Sequence, residues 1–525
     1  MTEHRRPLLP LLLAALCLPA VLAAVTDPCT APASQSDASV TSFDDTVIAV
    51  TVFRPDGACA GDPRPVILTL HGWSGSRSTD AGASDVAPFL ADGYGVVAID
   101  ARGHGDSGGA ALVHHPDREV RDFRAVLDFI ADELAWVARD DTGIPKDVVA
   151  GAYGGSYGGG FQLMTAAFDD RLDALVPMAT WNDLQQSLWP NRMAIKSDWL
   201  TLLYAAGEAN ASLDPALGTW FRDGMANNLP PHAAQDSFRG SSPATWMAGI
   251  DVPTLLVQGL PDTLFNLNEA VHNLEGIRAN GADVRLIGVN TGHLLPGVQP
   301  TALGHDVRAE DSPCGDLGPV VSDFLASHLR GDATAAARLA EVPRVMLATE
   351  QDTCVSGPAW PLHDETIDIT TSAILAPEPA GSTLVPLLTA EAPLTLAGIP
   401  QLTGTPVVEL DDQLYLSLVV VDGDGVHVVD DQVTGMRLRA PACHAARAGA
   451  AATTRWAAAC AVMATPRRIE LGGIATTLQP GQELYLRVDG WNEQSALNST
   501  RRPGAAVLTN VTIELPVVDT PEEES

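Results

Sequence analysis

The chain has 525 residues, more than one hydrophobic core usually holds, which predicts two domains. Its hydrophobic content of 46% is ordinary for a globular protein, whereas its formal net charge of −34 is strongly acidic. Nucleic-acid binding needs clustered cations, and the only lysines are Lys146 and Lys196, so the composition argues against nucleic acid as a partner.

The N-terminus has the pattern of a secretory signal over residues 1–24. Two arginines precede an apolar run from Leu8 to Leu22, and the small residues Ala23 and Ala24 suit a cleavage site. A retained N-terminal anchor is the alternative. No later apolar stretch is long enough to span a membrane, so we expect a secreted or periplasmic protein without a membrane span in the mature chain.

Seven cysteines, less Cys17 in the signal, leave six in the mature chain. An even number in a secreted protein predicts disulfides, with buried free thiols as the alternative. The sequence does not fix their pairing, but pairing of neighbours gives Cys29–Cys59, Cys314–Cys354 and Cys443–Cys460. No C-x-x-C motif occurs, so neither a zinc site nor a redox motif is indicated.

Strands and helices alternate through the first half of the chain. A polar leader, Ala31–Asp37, precedes one or two strands within Val40–Arg54. Apolar runs typical of buried parallel strands follow at Pro65–Leu70, Tyr94–Ile99, Val148–Val149, Leu172–Met178, Pro253–Gln258 and Val284–Val289. Helical segments are predicted at Ser84–Leu90, Arg118–Val137, Phe161–Ala167, Leu267–Asn280 and Leu317–Leu329. The alternation predicts an α/β fold with a doubly wound parallel sheet, within a domain over residues 25–340.

The alternation stops at about residues 180–248, which are rich in tryptophan and helix formers and predict an inserted helical cap. Trp181, Trp189 and Trp199 are candidates for the wall of a substrate pocket. The alternative for any one of them is a place in the core of the cap.

Short β-prone runs separated by turns dominate the chain beyond about Ala340, beginning with Arg344–Ala348. They predict an all-β second domain over residues 341–517, most simply a two-sheet sandwich or jelly roll. An acidic tail over residues 518–525 ends the chain.

The stretch GGSYGG places Ser156 between a predicted strand and a predicted helix. Glycines on both sides of the serine permit a sharp turn that lifts its hydroxyl above the sheet edge. The alternative is a glycine-rich loop that contains a serine by chance. A serine becomes a nucleophile when an oriented base takes its proton, so the interpretation requires partners further along the chain.

Those partners follow in the order Ser, Asp, His. Asp262 and His293 each come just after a predicted strand, at the sheet edge where open α/β sheets bind ligands. The rival candidates are less favourable because they precede a strand, lie within a helix, or fall farther from a strand end: Asp251, Asp283, His272 and His305. We therefore predict Ser156 as nucleophile, His293 as general base and Asp262 as the residue that orients it.

Two backbone amides are predicted to stabilise the oxyanion. The N–H of Tyr157 lies at a helix N-terminus, next to the nucleophile, and the N–H of Trp73 lies in the loop after the first central strand. Each such donor contributes roughly 2.7–4 kcal/mol to transition-state stabilisation.

Three weaker motifs are interpreted as structural. The stretch GDSGG around Ser107 resembles the nucleophile motif of trypsin-like proteases, but it follows a parallel-type strand and is read as a loop. The stretch from His114 to Glu119 is read as a charged surface loop rather than a metal site. Asp422-Gly423-Asp424-Gly425 is read as a turn, since it lacks the ligands of a calcium loop. No metal or other cofactor is expected.

Several stretches together make the chain resemble the cocaine esterase and X-Pro dipeptidyl-peptidase-like serine hydrolases. These are GGSYGGGFQL, ATWNDLQQSLWPN, QGLPDTLFNLNEA and NTGH in the first part, and APLTLAGIPQLTG, LSLVVVDGDGVHVVDDQVTGMRLR and LQPGQELYLRVDGWN in the second. The resemblance implies an α/β-hydrolase core, a helical cap and a C-terminal jelly-roll (galactose-binding-like) domain that helps to wall the active site. It departs at one point, because His71-Gly72-Trp73 stands where cocaine esterase-like members carry a Pro-Tyr segment whose hydroxyl serves the oxyanion.

The predicted function is a secreted serine hydrolase that cleaves a carboxylic ester or acyl-amide bond in a small molecule or peptide. An X-Pro dipeptidyl-peptidase is the first alternative, although no carboxylate that would bind a substrate ammonium stands out and Asp183 is distinguished only by its region. A non-catalytic carbohydrate or cell-surface binding protein is the alternative from another class. The oligomeric state is left open.

Overall fold

A computed structural model of the chain describes Cys29 and residues 32–192, 196–293, 312–362, 365–375, 381–408, 412–423, 425–438, 466–492, 495 and 506–518. The predicted signal over residues 1–24, the Cys443–Cys460 pair, the rival His305 and the tail from residue 519 onwards lie outside the described residues. The predicted disulfides Cys29–Cys59 and Cys314–Cys354 are confirmed.

A ten-stranded mixed sheet forms the first part of the protein. Its strands in chain order are β1 (Ser34–Thr41), β2 (Val47–Arg54), β3 (Val66–Leu70), β4 (Gly95–Ile99), β5 (Ala150–Gly155), β6 (Ala174–Met178), β7 (Thr254–Gly259), β8 (Val284–Val289), β9 (Val345–Ala348) and β10 (Cys354–Gly357). Their order across the sheet is β1-β2-β4-β3-β5-β6-β7-β8-β9-β10. Pairing is parallel from β4 to β9 and antiparallel at both edges.

Helices accompany this sheet, and some of them pack on each of its faces. They are α1 (Ala87–Ala91), α2 (Glu119–Glu133), α3 (Tyr157–Ala166), α4 (Leu184–Leu188), α5 (Ser197–Asn210), α6 (Pro215–Asn227), α7 (His232–Gly240), α8 (Pro243–Trp246), α9 (Leu267–Ala279), α10 (Leu317–Arg330) and α11 (Ala333–Glu341). Leu68 of β3 joins a core with α2, α3 and α9, whereas its neighbour Ile67 joins a core with α1 and α10. The central strands are mainly apolar because both of their faces are buried in this way.

Two predictions about the edges of this sheet are wrong. The polar leader Ala31–Asp37 contains the start of β1, an edge strand that pairs with β2 through its backbone while most of its side chains stay exposed. The run Arg344–Ala348, expected in the all-β domain, contains β9, which pairs in parallel with β8. The first sheet therefore extends past residue 340. The hydrophobic pattern misses β1 because its side chains are mostly polar and exposed. It does not assign β9 to the first sheet because a short apolar run of four buried residues fits a strand of either domain.

The remaining described strands form two further sheets that share one apolar core. They are β11 (Glu365–Leu375), β12 (Ser382–Thr389), β13 (Leu394–Gly398), β14 (Gln401–Val408), β15 (Asp412–Asp422), β16 (Gly425–Val428), β17 (Thr434–Leu438), β18 (Arg467–Glu470), β19 (Ile474–Leu478), β20 (Glu483–Asp489) and β21 (Ala506–Val518). One sheet has the order β18-β14-β21-β13-β19 with β11 on β21, and the other has the order β12-β20-β15-β16 with β17 on β15. Every pairing in the two sheets is antiparallel.

Within the described part of the chain, none of the helices combines the length and apolar character that a membrane crossing requires. Five helices, α4 to α8, lie between β6 and β7, where the strand alternation of the sequence stops. Leu188, Leu203 and Leu217 of three of these helices line a cavity together with Ser156, which follows β5.

Candidate active site

Ser156 lies at the turn between β5 and α3 with a strained backbone. Its φ of 58° and ψ of −120° lie in a region that non-glycine residues rarely adopt, at a cost of about 1–3 kcal/mol. The turn is held because the Ser156 amide donates to Met178 O at 2.8 Å and the Ser156 carbonyl accepts from the Thr180 hydroxyl at 2.9 Å. Gly158 is required sterically, since a Cβ there would lie 2.0 Å from the Leu70 carbonyl oxygen.

Asp262 and His293 lie together at the carboxyl ends of β7 and β8. His293 Nδ1 is 2.6 Å from Asp262 Oδ2, and the carboxylate is fully buried. The other carboxylate oxygen, Oδ1, accepts the amides of Leu264 at 2.9 Å and Phe265 at 2.8 Å. The side chain of Asp262 is therefore fixed by its own loop, with one oxygen left to face the imidazole.

The electrostatics favour a charged imidazole at His293. Burial of the ring opposes protonation, but the charge of Asp262 and its hydrogen bond outweigh burial, so the pKa of His293 is raised above its usual value. The ring also lies edge-on to Phe265, with centroids 5.4 Å apart, and to Trp199, with centroids 6.1 Å apart. A base that gains a proton during a reaction is stabilised in this setting.

The loop after β3 approaches the Ser156 turn from the other side. The Trp73 ring packs edge-on against the Tyr157 ring at 5.2 Å, and its indole nitrogen donates to Leu203 O of α5 at 2.8 Å. Tyr157 opens α3, and the first amides of a helix have no acceptor within that helix. The two residues predicted as oxyanion donors are thus neighbours beside Ser156.

Ser156 opens into an apolar cavity of about 110 Å³. Its walls come mainly from α4 to α7 and include Trp181, Trp189 and Phe238, while Trp73, Tyr157 and Phe265 close the end near the serine. Among the described residues, no Asp, Glu, Lys or Arg lines this cavity. The site thus combines the Ser156 hydroxyl with a largely apolar, aromatic surface that also includes Tyr157 and Tyr204.

The three predicted pocket tryptophans have different places. Trp181 and Trp189 line the cavity, whereas Trp199 is not among its described lining residues. The indole of Trp199 instead donates to the Thr263 hydroxyl at 3.1 Å and supports the His293 ring. The helical period of the sequence does not distinguish a wall residue from one that packs behind the site.

The prediction of a charged surface loop at His114–Glu119 is wrong. His114 is buried, stacks on the Tyr157 ring at 3.7 Å, and lies 2.6 Å from Tyr157 O through Nε2. Its burial lowers its pKa to about 3, so the ring is neutral. Glu119 is also buried and accepts the amides of Leu112 and His115. His114 thus contacts Tyr157, the residue after the nucleophile, and Glu119 holds the backbone on either side of His114. The sequence does not predict this because the partners of both side chains are backbone groups, which every residue carries.

Other weak motifs have structural roles. Ser107 donates to Asp100 O and accepts the Ala49 amide, both at 2.8 Å, which confirms the reading of the GDSGG stretch as a loop. Asp422 pairs with Gly425 at the junction of β15 and β16, as expected for a turn between strands. Within the described residues, no group of His, Cys, Asp and Glu has the arrangement of a metal site.

A second, polar cavity of about 650 Å³ lies next to the apolar one, with Leu264 lining both. Glu269 lines it and is buried, and its Oε2 accepts the amides of Asn182 at 2.7 Å and Asp183 at 2.8 Å. Asp183 itself caps α4 by accepting the amides of Gln185 and Gln186. Neither carboxylate lines the cavity into which Ser156 opens.

The family model of the X-Pro dipeptidyl-peptidases (S15 family) matches residues 44–295 of this chain. Among characterised proteins, a bifunctional esterase/perhydrolase of Acinetobacter calcoaceticus is 28% identical over 258 residues, which are 47% of this chain and 91% of that protein. These matches confirm the resemblance predicted from the sequence.

Solved structures show a similar fold over nearly the whole chain. A CocE/NonD family hydrolase from Staphylococcus aureus has a TM-score of 0.64 at 14% identity, covering 93% of this chain and 94% of that one. An alpha-amino acid ester hydrolase has a TM-score of 0.62 at 16% identity, covering 94% and 98%. The likeness extends over both the ten-stranded sheet and the C-terminal β-sheets, as the coverage requires.

Proposed function

Since the chain is a serine hydrolase whose residues 44–295 match the S15 family, we propose that it cleaves a carboxylic ester or acyl-amide with an apolar or aromatic acyl group. The observation that carries the proposal is the opening of Ser156 into a cavity with no charged side chain among its described lining residues. A charged acyl group would lose its hydration there without gaining a partner, whereas an apolar one would bury its surface.

The proposed mechanism proceeds through an acyl-enzyme. Ser156 Oγ attacks the carbonyl carbon while His293 Nε2 takes the hydroxyl proton, and Asp262 stabilises the imidazolium. The carbonyl oxygen becomes an oxyanion that accepts the amides of Trp73 and Tyr157. His293 then gives its proton to the leaving alcohol or amine. A water molecule attacks the acyl-enzyme, passes a proton to His293, and releases the acid as Ser156 regains its proton.

We assign the helices between β6 and β7 the role of a cap, because they supply most of the described cavity wall. We assign the two C-terminal sheets a jelly-roll arrangement, which their antiparallel pairing and shared core support. We also propose that residues 1–24 are a secretory signal. The disulfides Cys29–Cys59 and Cys314–Cys354 agree with an extracellular or periplasmic location, where disulfides persist.

An X-Pro dipeptidyl-peptidase remains the second candidate because of the family match. That activity needs an anionic group beside the serine to pair with the substrate ammonium. The buried carboxylate of Glu269 lines the other cavity and already accepts two backbone amides. This arrangement favours the ester and acyl-amide proposal.

The test compares p-nitrophenyl butyrate and benzoate with the p-nitrophenyl half-ester of succinate, using Ser156→Ala as the control. We expect kcat/KM to be at least about 100-fold lower for the anionic half-ester. Its carboxylate would lose several kcal/mol of hydration in the cavity without gaining a charged partner. Equal rates for all three esters would contradict the proposed acyl specificity. Glycan binding on an array without Ser156-dependent hydrolysis would favour a non-catalytic binding protein instead.

A further inference from the structure

The residues that follow β7, 260–265, form a short buried segment that we call the acid loop. Asp262 is fully buried, and Leu260, Thr263, Leu264 and Phe265 are each at most 4% exposed. A buried loop has backbone carbonyls that cannot reach water, and each needs a donor from elsewhere in the protein. The position of the Asp262 carboxylate depends on where those donors hold the loop.

Lys196 donates to two of these carbonyls. It lies in the segment between β6 and β7 that contains α4 to α8, which we call the helical insertion. Lys196 Nζ donates to Thr263 O at 2.9 Å and to Leu264 O at 3.0 Å, across 67 and 68 residues of sequence. The side chain is buried, which lowers its pKa to about 8, while the charges of Glu269 and Asp262 act in the opposite direction. One of the two lysines of the chain is thus buried inside the protein, next to the predicted catalytic acid.

Gln432 donates to two more carbonyls of the acid loop. It belongs to the part of the chain that forms the two sheets of β11 to β21, which we call the C-terminal β region. Gln432 Nε2 donates to Leu260 O at 2.8 Å and lies 3.1 Å from Asp262 O, across 172 and 170 residues of sequence. The same amide lies 3.1 Å from Asp430 O, and the side chain is buried. Gly472 leaves the space for it, since a Cβ at that position would be 2.6 Å from Gln432 Cβ.

A fifth carbonyl of the acid loop is held by a donor from the core sheet. Phe265 O accepts from Gln258 Nε2 of β7 at 2.6 Å. Donors therefore come from the core sheet, the helical insertion and the C-terminal β region, and they hold both sides of Asp262. A displacement of about 1 Å in such a group is enough to lower a catalytic rate by up to about 100-fold.

We infer that Lys196 and Gln432 are positioning residues that hold Asp262 against His293, so that the helical insertion and the C-terminal β region both set the geometry of catalysis. The inference rests on the proposed function, because it gives Asp262 a role in orienting the base. It also gives the C-terminal β region a role in catalysis besides any contact with substrate.

The test uses Lys196→Met and Gln432→Met, which keep side-chain length and apolar volume but remove the donors. With a short p-nitrophenyl ester, kcat should fall about 10- to 100-fold while KM changes less than about twofold. In Gln432→Met, which changes no charge, the acidic limb of the kcat/KM pH profile should move to lower pH, because a displaced carboxylate raises the pKa of His293 less. A purely structural role would lower the melting temperature and leave that pH profile in place.

Gln482→Met is the matched control. Gln482 lies in the C-terminal β region, where its Nε2 donates to Asp422 Oδ2 at 2.8 Å, and it makes no described contact with the acid loop. This variant should keep both kcat and the pH profile of the wild type. If Lys196→Met or Gln432→Met is not soluble, Lys196→Gln and Gln432→Asn replace them, since their shorter side chains leave less reach to the same carbonyls.

A second pair of variants perturbs Gln432 without changing it. Gly472→Ala should push the Gln432 side chain away from the acid loop and lower kcat, whereas Gly423→Ala, with nothing within 4 Å of the new Cβ, should not. Wild-type kcat in the Lys196 and Gln432 variants, with an unmoved pH profile in Gln432→Met, would overturn the inference. Failure of the proposed function is recognised separately, as a wild-type protein with no ester hydrolysis that Ser156→Ala abolishes.

Discussion

Replacement of Asp262 by asparagine tests how the orienting group acts, because the structure fixes which way the new amide points. The Asp262 oxygen Oδ1 accepts two amides, those of Leu264 and Phe265, and Oδ2 faces His293 Nδ1. In Asp262→Asn the amide oxygen keeps the two backbone donors, so the NH₂ group faces Nδ1. That nitrogen must then accept, and the proton moves to Nε2, the atom that has to receive the Ser156 proton.

The size of the effect follows from the cost of the reversed amide. Turning the amide over would point its NH₂ group at the Leu264 and Phe265 amides and leave two buried donors unsatisfied, at about 1–3 kcal/mol each. A total of about 2–6 kcal/mol disfavours the productive tautomer, which corresponds to a loss in kcat of about 30-fold to about 10⁴-fold. The free energy of unfolding should change by less than about 1 kcal/mol, since the two backbone hydrogen bonds remain and a buried charge is removed.

The assay measures kcat on a p-nitrophenyl ester, with urea unfolding of the same preparations. Retention of kcat within about tenfold in Asp262→Asn, with hydrolysis still dependent on Ser156, would refute the assignment of Asp262. A loss of kcat with a matching loss of stability would refute the amide-orientation argument, because that argument predicts a folded variant.

The other predictions concern the nucleophile, the base, the pocket and a disulfide. Ser156→Ala should abolish turnover and labelling by a fluorophosphonate probe while the melting temperature is kept; labelling of the variant would show that the nucleophile lies elsewhere. The kcat/KM of the wild type should rise with pH through a midpoint above 6.5, because the raised pKa of His293 keeps the base protonated to higher pH, and a midpoint below that value would contradict it. Trp189→Ala should enlarge the apolar cavity and raise the kcat/KM ratio of longer to shorter acyl esters by about tenfold, measured across a chain-length series. Replacement of Cys314 and Cys354 by serine should lower the free energy of unfolding by about 4 kcal/mol, the chain-entropy value for a 40-residue separation, and unchanged urea unfolding would contradict it.

The parts of the site that the sequence predicts are those with a local cause. The turn at Ser156 follows from the adjacent glycines, of which Gly158 is sterically required. Asp262 and His293 follow from their positions after buried strands, and the structure brings their side chains into contact. In each case the strand places the residue at the sheet edge, so one stretch of sequence contains the information.

The parts that the sequence misses depend on distant contacts. Lys196 and Gln432 are polar residues in unremarkable stretches, and their partners in the acid loop lie 67 to 172 residues away. His114 looks like part of a charged loop, yet it is buried against Tyr157. Trp189 lines the cavity, whereas Trp199 packs against Thr263 and His293. The sequence does not distinguish these two places because tertiary packing decides which tryptophan faces the cavity.

The most direct test of the account compares substrates on the purified mature protein. The rates of short p-nitrophenyl esters are measured beside those of Ala-Pro-p-nitroanilide and its N-acetylated form, with Ser156→Ala as the control in each series. The ester and acyl-amide assignment predicts Ser156-dependent ester hydrolysis, with slow release from Ala-Pro-p-nitroanilide whether or not its amine is acetylated. Efficient release from Ala-Pro-p-nitroanilide that acetylation abolishes would contradict the assignment and show that the site binds a substrate ammonium.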